Sequence, residues 1–222
     1  MRNSGMLPKD SFKDKVVLIT GGGTGLGKSM GSYILELGGK LVITSRKLEK
    51  IQKTADEFNM QYKDSVLAVV GDVRNTEDME KVIDQGFKHF GSINMLLNNA
   101  AGNFISPTER LSTNAFSVII DIVLKGTCNC TLVLGKHWID KKIHGTILNI
   151  TTTYALTGSG YVTPSAAAKG GVSSFTKSIA AEWAKYNIRC NAIAPGPFPT
   201  EGAWNRLVPP GFSKFINIKK RI

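Results

Sequence analysis

Three groups of residues in this chain have types and spacings that could do chemistry. The stretch Thr20-Gly21-Gly22-Gly23-Thr24-Gly25-Leu26-Gly27 is a glycine loop. Gly21, Gly25 and Gly27 permit a tight turn and let backbone N–H groups approach a pyrophosphate at a helix N-terminus. Further on, Ser165 and Lys169 stand four positions apart, so a helix would set both on one face, where an ammonium can lower the pKa of a nearby phenol. Tyr154 and Tyr161 both precede that pair, and spacing alone ranks neither as the phenol. The third group is Ser45-Arg46-Lys47. A dinucleotide fold that prefers NAD places an acid after its second strand to hold the ribose hydroxyls. Cations in that place suit a 2′-phosphate, and hence NADP. Solvation of a helix start is the plainer role open to Arg46 and Lys47, and the missing acid weighs against it.

Apolar periodicity supplies the elements that must hold these groups. A strand over Val16 to Thr20 runs into the glycine loop, and Leu26, Met30, Ile34 and Leu37 then fall at helical spacing until Gly38-Gly39 ends the helix. Strands follow at Leu41 to Thr44, Val66 to Val70 and Met95 to Leu97, with helices at Leu48 to Phe58 and Thr76 to Phe90 between them. After a polar loop through Pro107, Asn114 to about Asp140 reads as one long helix. A strand at Thr146 to Ile150, a helix from about Pro164 to Lys185 and a strand at Ile188 to Ala194 complete the order. Strands alternating with helices predict an α/β domain, a doubly wound, Rossmann-like parallel sheet covered on both faces, with ligands at the carboxyl ends of its strands. No internal repeat or linker divides residues 1–222, so one domain is expected.

Composition narrows the partners. With 28 Lys+Arg against 17 Asp+Glu the formal charge is +11, which favours anionic partners. The basic residues are scattered, Lys141-Lys142 and Lys219-Lys220-Arg221 being only short clusters, so a multiply phosphorylated small molecule fits better than nucleic acid. No uninterrupted apolar run approaches the roughly 20 residues that span a bilayer, and membrane insertion is not expected. Cys128, Cys130 and Cys190 lack metal-ligand spacing and read as buried thiols in a reducing compartment. His89, His137 and His144 stand apart, and no metal site is expected. Met1 to Asp10 carries neither a secretory signal nor a clear mitochondrial presequence, and Lys220-Arg221-Ile222 is not a peroxisomal address.

Longer motifs add a resemblance. The spacing of the glycine loop, Gly71-Asp72-Val73 after the third strand and Asn98-Asn99-Ala100-Ala101-Gly102 after the fourth resemble the short-chain dehydrogenase/reductase family. In that family a Ser after the fifth strand, a Tyr about 13 residues later and a Lys four beyond it form the site. This chain departs from the pattern: Thr152 stands in the serine slot, Ser165 in the tyrosine slot, and Val123 where a mid-helix Asn is usual. The segments Asn98 to Ser112 and Thr151-Thr152-Thr153-Tyr154, followed by Gly158-Ser159-Gly160, resemble the branch of mitochondrial-type 2,4-dienoyl-CoA reductases, and the likeness runs from Met6 through Pro195-Gly196-Pro197.

That resemblance implies an NADPH-dependent reduction of 2,4-dienoyl-CoA to 3-enoyl-CoA in the β-oxidation of unsaturated fatty acids. It implies Tyr154 as proton donor, ranked above Tyr161 on this ground alone, with Asn103, Ser165 and Lys169 completing the site. Gly21, Gly22, Gly23, Thr24, Gly25, Leu26, Ser45, Arg46, Asp72, Asn98, Lys169, Pro195, Gly196, Pro197 and Phe198 are implied to bind the cofactor. Arg46, Arg74, Phe104, Ser112 and Arg206 are implied to contact the acyl-CoA, whose phosphates suit arginine forks. Arg74 and Arg206 could equally be solvated charges, and Phe104 could be core. A homotetramer is implied for the full-length family, in the mitochondrial matrix of a eukaryote or the cytoplasm of a bacterium. Phe212 to Ile222 falls where the family heads towards a last strand and helix; a polypeptide complete at that point is expected to keep an uncovered sheet edge and to be poorly active or aggregation-prone, and the competing explanation is a fragment of a longer active enzyme. Two other readings stay open: a reductase of another enoyl or carbonyl substrate, and a non-catalytic NADP-binding protein.

Overall fold

The computed structural model describes residues 6–196 and 198. Its order is β1 (Val16–Thr20), α1 (Gly25–Glu36), β2 (Lys40–Ser45), α2 (Leu48–Gln61), β3 (Val66–Val70), α3 (Thr76–Phe90) and β4 (Met95–Asn98), then α4 (Thr113–Ile120) and α5 (Gly126–Lys141). There follow β5 (Thr146–Ile150), α6 (Tyr154–Thr157), α7 (Thr163–Trp183) and β6 (Arg189–Ile193). The strands form one parallel sheet in the order β3-β2-β1-β4-β5-β6.

Strand alternation divides the core between the two faces of that sheet. Val16 and Leu18 of β1 point to the side where Met79 and Ile83 of α3, Leu134 and Trp138 of α5 and Ile179 of α7 are buried. Val17 and Ile19 point to the other, against Ile34 and Leu35 of α1 and Ile51 and Phe58 of α2. Side chains buried on both faces explain why β1 and β2 are near-continuous aliphatic runs rather than alternating ones. Trp138 is fully buried and its indole N–H donates to the Ile93 carbonyl at 2.6 Å, which ties α5 beneath the start of β4. Gly38 and Gly91, at φ of +85° and +78°, close α1 and α3 as glycines past helix ends commonly do.

Four local features depart from the sequence reading. The single long helix is continuous in space, but Asp121–Lys125 winds as a π segment between α4 and α5, and Val123 there is fully buried. Helix α6 was not foreseen, and the last turn expected of α7 is a 3-10 turn at Ala184–Tyr186. The span Thr113–Lys141 is also long and apolar enough by composition to cross a membrane, which a search for uninterrupted apolar runs passes over. In the fold its α4 and α5 portions pack on α7, α3 and β4. Cys130 and Cys190 are buried, burial pushing their thiols up to about 12 and about 11, while Cys128 is half-buried.

Candidate active site

The strand order turns back between β1 and β4, so the loops leaving their carboxyl ends diverge and open a crevice. The glycine loop forms one wall. Gly21 and Gly25 lie at φ of +67° and +54°. A Cβ on Gly27 would collide with the Gly21 carbonyl and stand 2.7 Å from Asn99 Nδ2, so this turn closes only around glycine. Helix α1 begins here without a side-chain cap and without an acid in its first turn, leaving its first N–H groups to meet an anion.

Asn99 pins the loop from across the crevice. Its Nδ2 donates to the Thr20 and Gly21 carbonyls at 3.0 and 3.2 Å, and Thr20 Oγ1 accepts from the backbone N–H of Asn99 and of Ala100. Sequence reasoning gave a cofactor role to Asn98 instead. The structure turns the buried Asn98 side chain into the core, where Nδ2 donates to Thr131 and Asn149 at 3.0 and 2.9 Å. A cofactor contact from Asn98 therefore falls to its backbone. Parity along β4 carries the signal: Asn98 shares the pleat face of Leu96, which belongs to the α5 side of the core.

Beyond the loop, Arg46 lies exposed after β2 and, with Leu48, Gly71 and Asp72, lines a cavity of about 510 Å³. The Ser45 hydroxyl accepts from the Lys47 N–H. Asp72 is forked by Arg74, whose Nε reaches both carboxylate oxygens at 3.0 Å and whose Nη2 reaches one at 2.5 Å. That fork, with a smaller contribution from Arg46, holds the Asp72 carboxyl below its ordinary range. Arg74 thus spends its guanidinium on Asp72, and an acyl-CoA phosphate would have to share it.

The candidate chemistry sits beside β5. Helix α7 opens at Thr163 with Pro164 in its first turn, which suits a residue without an N–H, and Ser165 and Lys169 then stack on one buried face. Tyr154 comes from α6, and its phenol oxygen lies 3.0 Å from Ser165 Oγ. Lys169 is 6% exposed and its Nζ donates to the Ile150 carbonyl. Burial lowers its pKa from 10.5 to about 8. The rival phenol, Tyr161, is 61% exposed, and its carbonyl accepts from the Ser106 N–H in the loop after β4. Thr152, in the usual serine slot, is buried, and its hydroxyl faces the Pro195 carbonyl at 3.5 Å.

The remaining predicted residues are spread around this centre. Asn103 is half-buried in the loop after β4, its Oδ1 accepting from the Phe104 N–H at 2.9 Å. Phe104 packs on the cluster of Ile119, Val123, Ala168 and Val172, so the core role open to it in the sequence is realised. Ser112 caps α4, accepting from the Ala115 N–H at 3.1 Å, a structural duty distinct from the substrate contact that the resemblance implies. Gly22, Gly23, Thr24 and Leu26 lie in the glycine loop and the start of α1. Pro195, which accepts from the Thr153 N–H, follows β6 with Gly196, and Phe198 is exposed. Pro197 and Arg206 lie outside the described residues.

Known proteins share this plan. The family model "short chain dehydrogenase" matches residues 15–207. An uncharacterised oxidoreductase of Caenorhabditis elegans is 48% identical over 90% of this chain and 64% of its own length. A protein of the same organism named a probable (3E)-enoyl-CoA-producing 2,4-dienoyl-CoA reductase is 45% identical over 92% of this chain and 67% of its own. A Bacillus subtilis protein named a probable (2E)-enoyl-CoA-producing 2,4-dienoyl-CoA reductase is 43% identical over 88% and 77%. The chain thus spans 64% and 67% of the length of the two nematode relatives. Among solved structures, a short chain dehydrogenase from Bacillus anthracis superposes with a TM-score of 0.78 at 48% identity, over 83% of this chain and 74% of that one. A gluconate 5-dehydrogenase from Burkholderia cenocepacia, solved with NADP and tartrate, gives 0.82 at 28%, over 93% and 80%. Sheet order, glycine loop and matched span agree, and this chain belongs to the short chain dehydrogenase family of oxidoreductases.

Proposed function

We propose that this protein carries out the NADPH-dependent reduction of 2,4-dienoyl-CoA to 3-enoyl-CoA, a step in the oxidation of unsaturated acyl chains. The observation that carries the reading is the Tyr154–Ser165 contact at 3.0 Å, which supplies a phenol to a family member whose usual tyrosine slot holds serine. The names of the relatives at 43–45% identity support the same substrate class.

NADPH, when bound, would supply a hydride for the far end of the conjugated diene. The glycine loop and the first turn of α1 would hold its pyrophosphate, and exposed Arg46 its 2′-phosphate. Negative charge then moves to the thioester oxygen, where the Tyr154 hydroxyl and the Asn103 amide can donate hydrogen bonds to the dienolate. Tyr154 gives its proton to the carbon beside the thioester, and the remaining double bond stands at position 3. Ser165 orients the phenol. Lys169, kept beneath by the Ile150 carbonyl, favours the phenolate that is left.

The test is the regiochemistry of the product. With 2,4-hexadienoyl-CoA and NADPH, proton NMR should show a 3-enoyl thioester. A 2-enoyl product, as in the name of the Bacillus subtilis relative, would contradict protonation beside the thioester.

A further inference from the structure

The segment from Asn99 to Pro107, which carries Asn103, has no helix or strand of its own. Its side-chain bond at Asn103 is local, to the next residue. Phe104 beside it anchors the segment on Ile119, Val123, Ala168 and Val172, and the stretch beyond Phe104 is held by other contacts. Two more contacts join this segment, and the 3-10 turn Thr108–Arg110 that follows it, to the approach of α7. The Ser106 N–H donates to the Tyr161 carbonyl at 2.9 Å, and the Thr108 and Thr163 hydroxyls lie 2.7 Å apart in an exposed contact. The pairs 106–161 and 108–163 keep one register, two residues on along each segment, so the two stretches run alongside each other for a short distance. Tyr161 holds a left-handed backbone, φ +65°, where its carbonyl makes that bond. Thr163 opens α7 two residues before Ser165, and Val162 occupies the cap position, so helix capping does not use the Thr163 hydroxyl.

We propose that Thr108 and Thr163 form a latch that sets the Asn103 loop against the Tyr154–Ser165 pair, making both threonines positioning residues for the reaction. The proposal rests on the reading that Asn103 and Tyr154 act on one substrate. Neither threonine touches the reacting atoms. The latch acts by restricting where the loop can stand, because donors to a developing oxyanion work only when already in place. Its removal lets the loop sample positions in which the phenol is set and the amide is not.

The test uses the full chain with Thr108→Val, Thr163→Val, the double variant and both Thr→Ser variants. Each valine should lower kcat for 2,4-hexadienoyl-CoA roughly two- to threefold, the low end of the range for one hydrogen bond because the pair is exposed to water, and leave the KM for NADPH unchanged. The double variant should be no slower than the worse single, and the serine variants should stay near wild type. Hydrogen exchange over residues 103–112 should quicken in the valine variants and not in the serine ones. Unchanged exchange, additive losses of kcat, or serine variants as impaired as valine would overturn the latch. If the wild type fails to turn over a dienoyl-CoA, the substrate reading falls by itself, and the exchange comparison still decides the latch.

Discussion

Tyr154 reaches Ser165 from α6 rather than from the helix that carries Lys169, so phenol and ammonium are placed by two different elements. Tyr154→Phe should therefore cost turnover alone. A general acid contributes roughly a hundred- to ten-thousand-fold, so kcat should fall within that range with NADPH affinity unchanged, while exposed Tyr161→Phe stays active. Steady-state kinetics on the pair check this, and the reverse pattern would make Tyr161 the donor. At the cofactor end, Arg46→Asp should lower kcat/KM for NADPH by roughly ten- to a hundredfold, the worth of a charge-assisted contact, and shift preference towards NADH. Equal cofactor efficiency in the wild type would remove the 2′-phosphate role. Lys169 offers a pH signature. Its folded pKa of about 8 lies below the ordinary 10.5, so the unfolded chain binds the extra proton between those values and stability rises with pH across that window. Relative to Lys169→Met, the wild type should gain at most about 3 kcal/mol of unfolding free energy from pH 7 to 10.5 by denaturant titration. A flat difference would show that burial does not perturb this lysine.

Elements with a clear period were legible, and those without one were not. Helix α1 announced itself through Leu26, Met30, Ile34 and Leu37, and β1 through an unbroken aliphatic run that ends at glycine. Helix α6 has four residues, too few to show a period. The π segment is a phase shift inside an apolar stretch that reads as helix on either side. Its consequence falls on Val123. Fully buried among Ile119, Ala168 and Val172, it closes with hydrocarbon the mid-helix place where the sequence resemblance implies an asparagine for the wider family. Val123→Asn should thus destabilise the fold by about 1 to 3 kcal/mol, the cost of a buried polar group without a partner, rather than assist catalysis. A melt and a kcat measurement on one preparation test both halves. In the glycine loop, Gly27→Ala forces a methyl against the Gly21 carbonyl and Asn99, and should weaken NADPH binding together with a loss of about 1 to 3 kcal/mol in stability. Calorimetric titration and thermal unfolding measure the two. Unimpaired binding would show that the loop does not hold the pyrophosphate.

At the scale of the whole molecule, alternating strands and helices led to the doubly wound parallel sheet, because parallel neighbours need crossovers and the crossovers need helices. The site was legible only in part. Chemistry-bearing types could be read, but Asn98 and Asn99 are identical neighbours separated in role by which side of β4 each faces, and Thr108 and Thr163 meet across 55 positions that no local pattern connects. The fold brings the Tyr154 phenol beside Ser165 at the carboxyl edge of the sheet, beyond the crevice of the glycine loop. The central claim is that this geometry reduces a conjugated acyl thioester with NADPH. The direct measurement follows NADPH oxidation at 340 nm, the absorption of the reduced nicotinamide, at about saturating cofactor, with 2,4-hexadienoyl-CoA as substrate and a panel of carbonyl and simple enoyl substrates beside it. Turnover of the dienoyl-CoA that exceeds every other substrate and vanishes in Tyr154→Phe is the predicted result. Tight NADPH binding with no dienoyl-CoA turnover, or a preference for a carbonyl substrate, would contradict it.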